Sequence, residues 1–172
     1  PTAPFDSFIR QFGQGDFRQP NTDQRLDGAT GVISYAANYR SFADHNSWVI
    51  TFNEDMGAQR GGIRWVELRN TDADSTWSIF QEGSYAPNDG ESRYMSSAGM
   101  DQDGNIGMAY NISSANTYAS IRYTGRYDGD AMGEMTFPEG TIWNGTSWQA
   151  NTNRFGDYAH LTMDPDGVTF WH

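Results

Sequence analysis

The chain has 172 residues, of which 15% are aromatic and 19 are glycine, a composition rich in strand and turn formers. Its 22 acidic residues outnumber 11 basic ones, and the net charge of −11 argues against nucleic acid as a partner, because phosphate binding needs clustered Lys and Arg. Cysteine is absent, which excludes disulfides and thiolate metal sites. No apolar run reaches the roughly 18 residues of a membrane span. We therefore predict an all-β protein without a membrane span.

The first 30 residues differ from the remainder. Residues 1–30 are rich in Gln, Asn, Asp and Gly and show no sustained hydrophobic period. We expect an extended N-terminal arm, ordered only where its phenylalanines find pockets, namely Phe5, Phe8, Phe12 and Phe17. Residues 31–172 instead alternate short apolar runs with turn clusters, which is the pattern of a β-meander.

An internal repeat organises this second part. Residues 63–69 (IRWVELR) recur as residues 121–127 (IRYTGRY), and residues 97–106 recur as residues 160–168. The spacings of 58 and 63 residues define a unit of about 60 residues, which accommodates the four strands of a propeller blade. We place blades at residues 31–90, 91–150 and 151–172.

The predicted strands follow from the alternating runs in each unit. In the first blade they are residues 32–39, 47–53, 63–69 and 76–82, and in the second they are 94–100, 106–112, 119–127 and 134–137. A third blade begins with residues 157–163 and 168–172. Tight Asp-x-Asp-Gly turns join the first two strands of the second and third blades, because Gly supplies a positive φ and Asp bonds the turn backbone.

Two and a half blades do not close a ring, since a propeller needs roughly four to eight. We expect the propeller to be completed by the remainder of a cleaved precursor or by other subunits, because open sheet edges favour aggregation. A two-sheet sandwich of ten strands with a coincidental repeat is the alternative.

Three runs are distinctive: residues 62–69 (GIRWVELR), 122–126 (RYTGR) and 154–158 (RFGDY). They resemble the sialidase-like (BNR/Asp-box type) β-propellers of large secreted bacterial proteins. The resemblance implies an exported protein, extracellular or on the cell surface, with this region toward the propeller's C-terminal side. The Asp boxes are degenerate, since Pro165 stands where the box has Asp, which weakens any link to sialidase activity.

The resemblance also directs attention to arginine and tyrosine. Sialoside hydrolysis in that superfamily uses arginines that grip a carboxylate and a phenol activated by a neighbouring base. The weak catalytic candidates are Arg154, Asp157 and Tyr158. Candidate ligand-binding residues are Arg93, Arg122, Arg126, Trp143 and Trp148, since guanidinium groups and exposed rings suit glycans. The alternative is structural: such arginines pair with carboxylates and tie blades together, and Arg154 with Asp157 has the spacing of such a clasp.

Alternate aspartates suggest calcium as the one candidate cofactor. Asp101 with Asp103, and Asp164 with Asp166, have the spacing that lets carboxylates converge on a hard cation. Neither pair continues into an EF-hand loop, and an ordinary hairpin turn explains the same pattern.

The function that we predict is a non-catalytic extracellular binding or adhesion module whose ligand is a glycan or a protein. One alternative is part of a sialidase-like glycoside hydrolase. Another is a structural subunit of an extracellular assembly that uses its open sheet edges.

Overall fold

The computed structural model describes residues 15–29, 32, 33, 35–71 and 74–172. The described residues form an all-β protein with two four-stranded antiparallel sheets and one short hairpin. Among them there is no helix that could cross a bilayer. Phe5, Phe8 and Phe12 lie outside the described residues.

The first sheet has the strand order β1-β2-β3-β4, and the second has β5-β6-β7-β8. The C-terminal hairpin pairs β9 with β10. The strands are β1 (Asn38–Ser41), β2 (Asn46–Asp55), β3 (Gly61–Thr71), β4 (Asp74–Tyr85), β5 (Ser92–Met100), β6 (Ile106–Ser113), β7 (Ser120–Arg126), β8 (Gly140–Trp143), β9 (Thr162–Met163) and β10 (Phe170–Trp171).

Most predicted strands are confirmed to within a few residues, but three positions are wrong, one of them the strand predicted at residues 157–163, where only Thr162–Met163 forms a strand. The first strand begins at Asn38 rather than at residue 32. The segment at residues 134–137, predicted as a strand, is irregular and follows a turn, and β8 lies at Gly140–Trp143. In that turn the amide of Glu134 bonds to the carbonyl of Ala131, and Pro138 interrupts any ladder because it has no N–H to donate.

The main core lies between the two sheets. Val49, Ile63 and Trp65 of the first sheet meet the inner side of the second sheet, which contributes Ala98, Met100, Ile106, Met108, Tyr110 and Ile112. Alternation along β2 follows from this packing: Ser47, Val49, Thr51 and Asn53 are buried, whereas the residues between them are half-buried. Strand β5 is buried along its whole length because it has a neighbour on each face.

A second, smaller core anchors the segment before the first sheet. The ring of Phe17 is fully buried and stacks on Tyr94 with ring centroids 4.5 Å apart. Phe17 also forms an antiparallel bridge with Leu26, which folds residues 15–29 back on themselves. The expectation that Phe17 finds a pocket is therefore confirmed.

The C-terminal hairpin packs on the outer side of the second sheet. Gly99, Gly107 and Gly125 face one another in register across β5, β6 and β7. The ring of Phe170 lies over two of these glycines, so that a Cβ atom on Gly99 or on Gly107 would stand 3.2 Å from it. The backbone amide of Gln102 also donates to the carbonyl of Gly167, which joins the two Asp-x-Asp-Gly turns. The second sheet is thus covered on both faces along β5 and β6.

Candidate functional site

Arg93, one of the predicted ligand-binding residues, lies in a buried network of ion pairs. Its Nη1 and Nη2 atoms donate to the two carboxylate oxygens of Asp89, at 3.1 and 2.7 Å, and its Nε donates to Glu139 at 2.7 Å. Burial alone would lower the pKa of this guanidinium, but the two carboxylates outweigh burial and raise the pKa. All three nitrogens of the Arg93 guanidinium donate within the chain. Arg93 therefore connects β5 to the segments that precede β5 and β8.

Glu139 also accepts a bond from a phenol, in a pair that sequence reasoning missed. The Tyr110 hydroxyl donates to Oε2 of Glu139 at 2.7 Å, and the tyrosine is fully buried beside Tyr85. Burial first, and then the bond to Glu139, raise the pKa of Tyr110 above its ordinary value. A nucleophilic phenol needs the opposite shift and access to substrate. The arrangement therefore favours a structural role for the Tyr110–Glu139 bond.

Arg126 connects the two sheets. Its Nη1 donates to Oε1 of Gln81 on β4 at 2.7 Å, and both Nη atoms donate to carbonyls of the turn at residues 130–134. The amide nitrogen of Gln81 in turn donates to Glu67 at 2.6 Å, which also accepts from Ser47. Arg126 is almost fully buried, so the structure places it in an inter-sheet clasp.

The remaining candidate ligand residues lie near strand β8. Arg122 is half-buried, and its Nη1 donates to the carbonyl of Trp143 while its Nη2 donates to the side chain of Asn144. The side chain of Trp143 is 64% exposed, and that of Trp148 is also exposed. Of the five residues predicted to bind a ligand, only Trp143, Trp148 and in part Arg122 are accessible.

The catalytic candidates form a local clasp. Arg154 makes an ion pair with Asp157, as its spacing indicates, and this bond raises the pKa of the guanidinium. Tyr158 is exposed and has a positive φ of 58°, within a turn where the amide of Ala159 bonds to the carbonyl of Gly156. The ion pair fixes the loop that precedes the C-terminal hairpin.

Asp101 and Asp166, two of the aspartates predicted as calcium ligands, accept hydrogen bonds from backbone amides of their own turns. Oδ1 of Asp101 accepts bonds from the backbone amides of Asp103 and Asn105, at 2.9 Å each, and Oδ2 accepts from the Asn105 side chain at 2.7 Å. Asp166 accepts in the same manner from the amides of Val168 and Thr169 and from the hydroxyl of Thr169.

The second turn carries one further bond, since Oδ2 of Asp164 accepts from the indole of Trp171. Across the described part of the chain, no three His, Asp or Glu side chains are grouped as metal ligands would be.

The outer side of the second sheet is exposed beyond β6. We call this region the open face and define it by Tyr123, Ile142 and Trp143, whose exposed fractions are 46%, 44% and 64%. Tyr123 faces Gly140 in register, and Trp143 faces Ile121. A cavity of about 380 Å³ adjoins it, and its walls include Tyr123, Ile142, Leu161, Phe170 and His172. The open face combines accessible rings with a recess, which suits binding.

The open face repeats an arrangement that is buried in the first sheet. Trp65 faces Gly83 across β3 and β4, just as Tyr123 faces Gly140 across β7 and β8. In both pairs the glycine leaves space for the ring, because a Cβ atom on either glycine would collide with it. The sequence repeat already aligned Trp65 with Tyr123. The signal that could have identified the site is the glycine that follows each ring, Gly83 at 18 residues after Trp65 and Gly140 at 17 residues after Tyr123.

Exposed rings on the first sheet are arranged differently. Tyr39, Trp48 and Trp77 pack on one another, with ring centroids 5.0 and 6.2 Å apart, and Phe80 lies under the guanidinium of Arg69. These rings pack against their neighbours across the strands and do not line the cavity beside the open face.

Comparison with known proteins adds no relative: no protein-family model, no curated protein and no solved structure matches the chain.

Proposed function

We propose that this chain is a non-catalytic binding module that holds its ligand on the open face of the second sheet. The observation that carries the proposal is the exposure of Tyr123, Ile142 and Trp143 beside a cavity of about 380 Å³. Contiguous exposed apolar side chains are typical of interaction sites. The rings offer stacking surfaces, and Arg122 and Asn144 offer polar groups at the edge of β8.

The absence of catalysis is part of the proposal. The described residues that resemble a hydrolase set are engaged in structural bonds: Tyr110 with Glu139, and Arg154 with Asp157. A buried phenol with a raised pKa is unsuited to attack a glycosidic carbon at neutral pH. We therefore place the chain among binding modules and not among glycoside hydrolases.

We further propose that the two sheets and the hairpin are consecutive blades of a sialidase-like propeller. Support comes from their stacking in chain order, from the repeated aromatic-glycine pairs and from the repeated Asp-x-Asp-Gly turns. A sandwich has two layers, whereas here the second sheet lies between the first sheet and the hairpin. An extracellular or cell-surface location belongs to the same proposal, and the net charge of −11 is compatible with it.

Binding can be tested with the chain immobilised for surface plasmon resonance against an oligosaccharide library and a library of extended peptides. We expect a ligand whose affinity falls at least tenfold in the Tyr123→Ser variant, equivalent to about 1.4 kcal/mol. Tyr39→Ser is the matched control, because Tyr39 is a strand tyrosine of similar exposure, 50%, on the first sheet. Equal losses in both variants, or no ligand in either library, would reject the open face as the binding site.

Catalysis is tested separately with fluorogenic glycosides, including a sialoside. We expect no turnover by the wild-type chain. Turnover that disappears in Tyr110→Phe would reinstate the hydrolase and overturn the proposal.

A further inference from the structure

The buried counterpart of the open face shows what covers an aromatic-glycine pair in this fold. Trp65 has no exposed surface, and Gly83 opposite it is buried. The carbonyl of Gly133 lies directly against Gly83, where a Cβ atom would collide with it. The guanidinium of Arg126 lies 5.9 Å from the Trp65 ring centroid. The cover therefore consists of the end of strand β7 and the turn that follows it.

The same cover is missing from the second pair. Tyr123 is 46% exposed, Gly140 is half-exposed, and the three atoms nearest to a Cβ atom on Gly140 all belong to Tyr123. Along β5 and β6 the same side of the sheet is covered by the C-terminal hairpin through Phe170 and Leu161. The exposed region is thus the continuation of an existing interface.

The hairpin also has an unused strand edge next to this region. β6 pairs with β5 on one edge and with β7 on the other, whereas β10 pairs with β9 alone in the described chain. Phe170 of β10 and Tyr123 line the same cavity. A strand added to the free edge of β10 would lie over the cavity and over Tyr123, in the place that β7 takes over the first sheet.

We propose that the occupant of the open face is an extended polypeptide that pairs with β10 and covers the Tyr123–Gly140 pair. This inference rests on the proposed function and specifies its ligand as a β-strand followed by a glycine-containing turn. Strand addition supplies backbone hydrogen bonds along the edge of β10, and the cavity supplies an apolar pocket. The cover of the first pair, a strand that ends at Arg126 and a turn that contains Gly133, defines the expected partner sequence.

The chain itself supplies a suitable probe. A synthetic peptide with the sequence of residues 118–139 contains β7, Arg126 and the turn with Gly133. It is added in saturating amount to the full chain, and amide hydrogen exchange is followed by mass spectrometry. We expect exchange at residues 168–172, which the peptide does not contain, to slow at least tenfold, and we expect no change when a scrambled peptide of the same composition is used.

Two variants make the outcome specific. Tyr123→Ser is expected to abolish the protection, whereas Tyr39→Ser is expected to retain it, provided that circular dichroism shows both variants to be folded. Tyr123→Phe keeps the ring and is expected to retain the protection even if Tyr123→Ser is unfolded.

Three outcomes would overturn the inference: no protection with the peptide, equal protection with the scrambled peptide, or protection confined to β4. If an oligosaccharide binds in a Tyr123-dependent manner while the peptide does not, strand addition fails but the proposed function stands. If neither binds, both fail.

Discussion

Gln81 on β4 accepts a 2.7 Å hydrogen bond from Arg126 on β7, so one amide side chain joins the two sheets. The same side chain donates to Glu67 and accepts from the amide of Gly133. A chain of buried polar groups thus crosses the interface, from Arg126 through Gln81 to Glu67. Breaking this chain is expected to destabilise the fold, because an unpaired buried group costs free energy.

Arg126→Ala is therefore expected to be strongly destabilising. Removing the guanidinium leaves Gln81 Oε1 with only its 3.3 Å bond from the amide of Gly133 and takes a donor from the carbonyls of Asp130 and Glu134, and we expect a loss of about 3 kcal/mol in the free energy of unfolding. Arg122→Ala is the matched control on the same strand. Its bonds are at the sheet edge, so a loss of no more than about 1 kcal/mol is expected. Urea denaturation measures both, and equal losses would contradict the clasp.

Arg122 and Arg126 also show what the sequence alone could not predict. The 58-residue repeat located β3 and β7 and placed both arginines on one strand. It could not distinguish them, because the burial of Arg126 depends on Gln81, which lies 45 positions earlier, and on the turn after β7. Burial of this kind is produced by contacts between distant segments, and the local alternation of apolar and polar residues does not predict it.

The same limit explains the error at β8. Residues 134–137 alternate like a strand, yet Arg126 bonds to the carbonyls of the preceding turn and holds residues 130–134 away from the ladder. Within residues 134–137, the backbone amide of Phe137 donates to the carbonyl of Gly125 on β7. Regular pairing with β7 begins at Gly140, opposite Tyr123. The Asp-x-Asp-Gly hairpins, by contrast, are determined by neighbours in sequence, and both were predicted in the correct place.

The first of those hairpins gives a second prediction. Asp101→Ala removes the acceptor of two backbone amides and one side-chain amide, and a loss of about 1 to 3 kcal/mol is expected. Asp103→Ala, whose side chain is exposed, is the control and should change stability by less than about 0.5 kcal/mol. Thermal unfolding in calcium and then in chelator completes the test. A calcium-dependent rise in the melting temperature that is lost in Asp101→Ala would show that the turn is a metal site.

The Tyr110–Glu139 bond is tested by Tyr110→Phe. The substitution removes only the hydroxyl, and Glu139 keeps its bond from Arg93. Because the lost bond involves a carboxylate, we expect a destabilisation of about 1.5 to 3 kcal/mol in urea denaturation. Tyr123→Phe removes an exposed hydroxyl and serves as the control, with little change expected. A neutral effect of Tyr110→Phe would contradict the structural role of the bond.

Phe170 is expected to hold the C-terminal hairpin against the second sheet. Phe170→Ala removes the ring from Gly99 and Gly107, and we expect amide exchange at residues 161–163 and 170–172 to rise about tenfold, equivalent to about 1.4 kcal/mol of local stability. Exchange in β2 and β3 should not change, because Phe170 packs on the outer side of the second sheet and is not a member of the main core between the sheets. Phe80→Ala on the exposed side of β4 is the control. A uniform rise over all strands would instead indicate that the hairpin belongs to one cooperative unit with both sheets.

Asp89 gives the fold a defined sensitivity to acid. Burial alone would raise the pKa of Asp89, but the paired bonds from Arg93 outweigh it and the pKa lies below its ordinary value of 3.8. A carboxyl whose pKa is lowered by folding stabilises the protein above its ordinary pKa, and this contribution is lost as the pH falls through the lower folded value. The urea midpoint of the wild type should therefore exceed that of Asp89→Asn at pH 6, and the difference should shrink below about pH 4. Asp103→Asn corrects for the change in net charge. If the difference between wild type and Asp89→Asn stays constant down to pH 2.5, the Asp89–Arg93 pair contributes no pH-dependent stability and its bidentate geometry does not persist in solution.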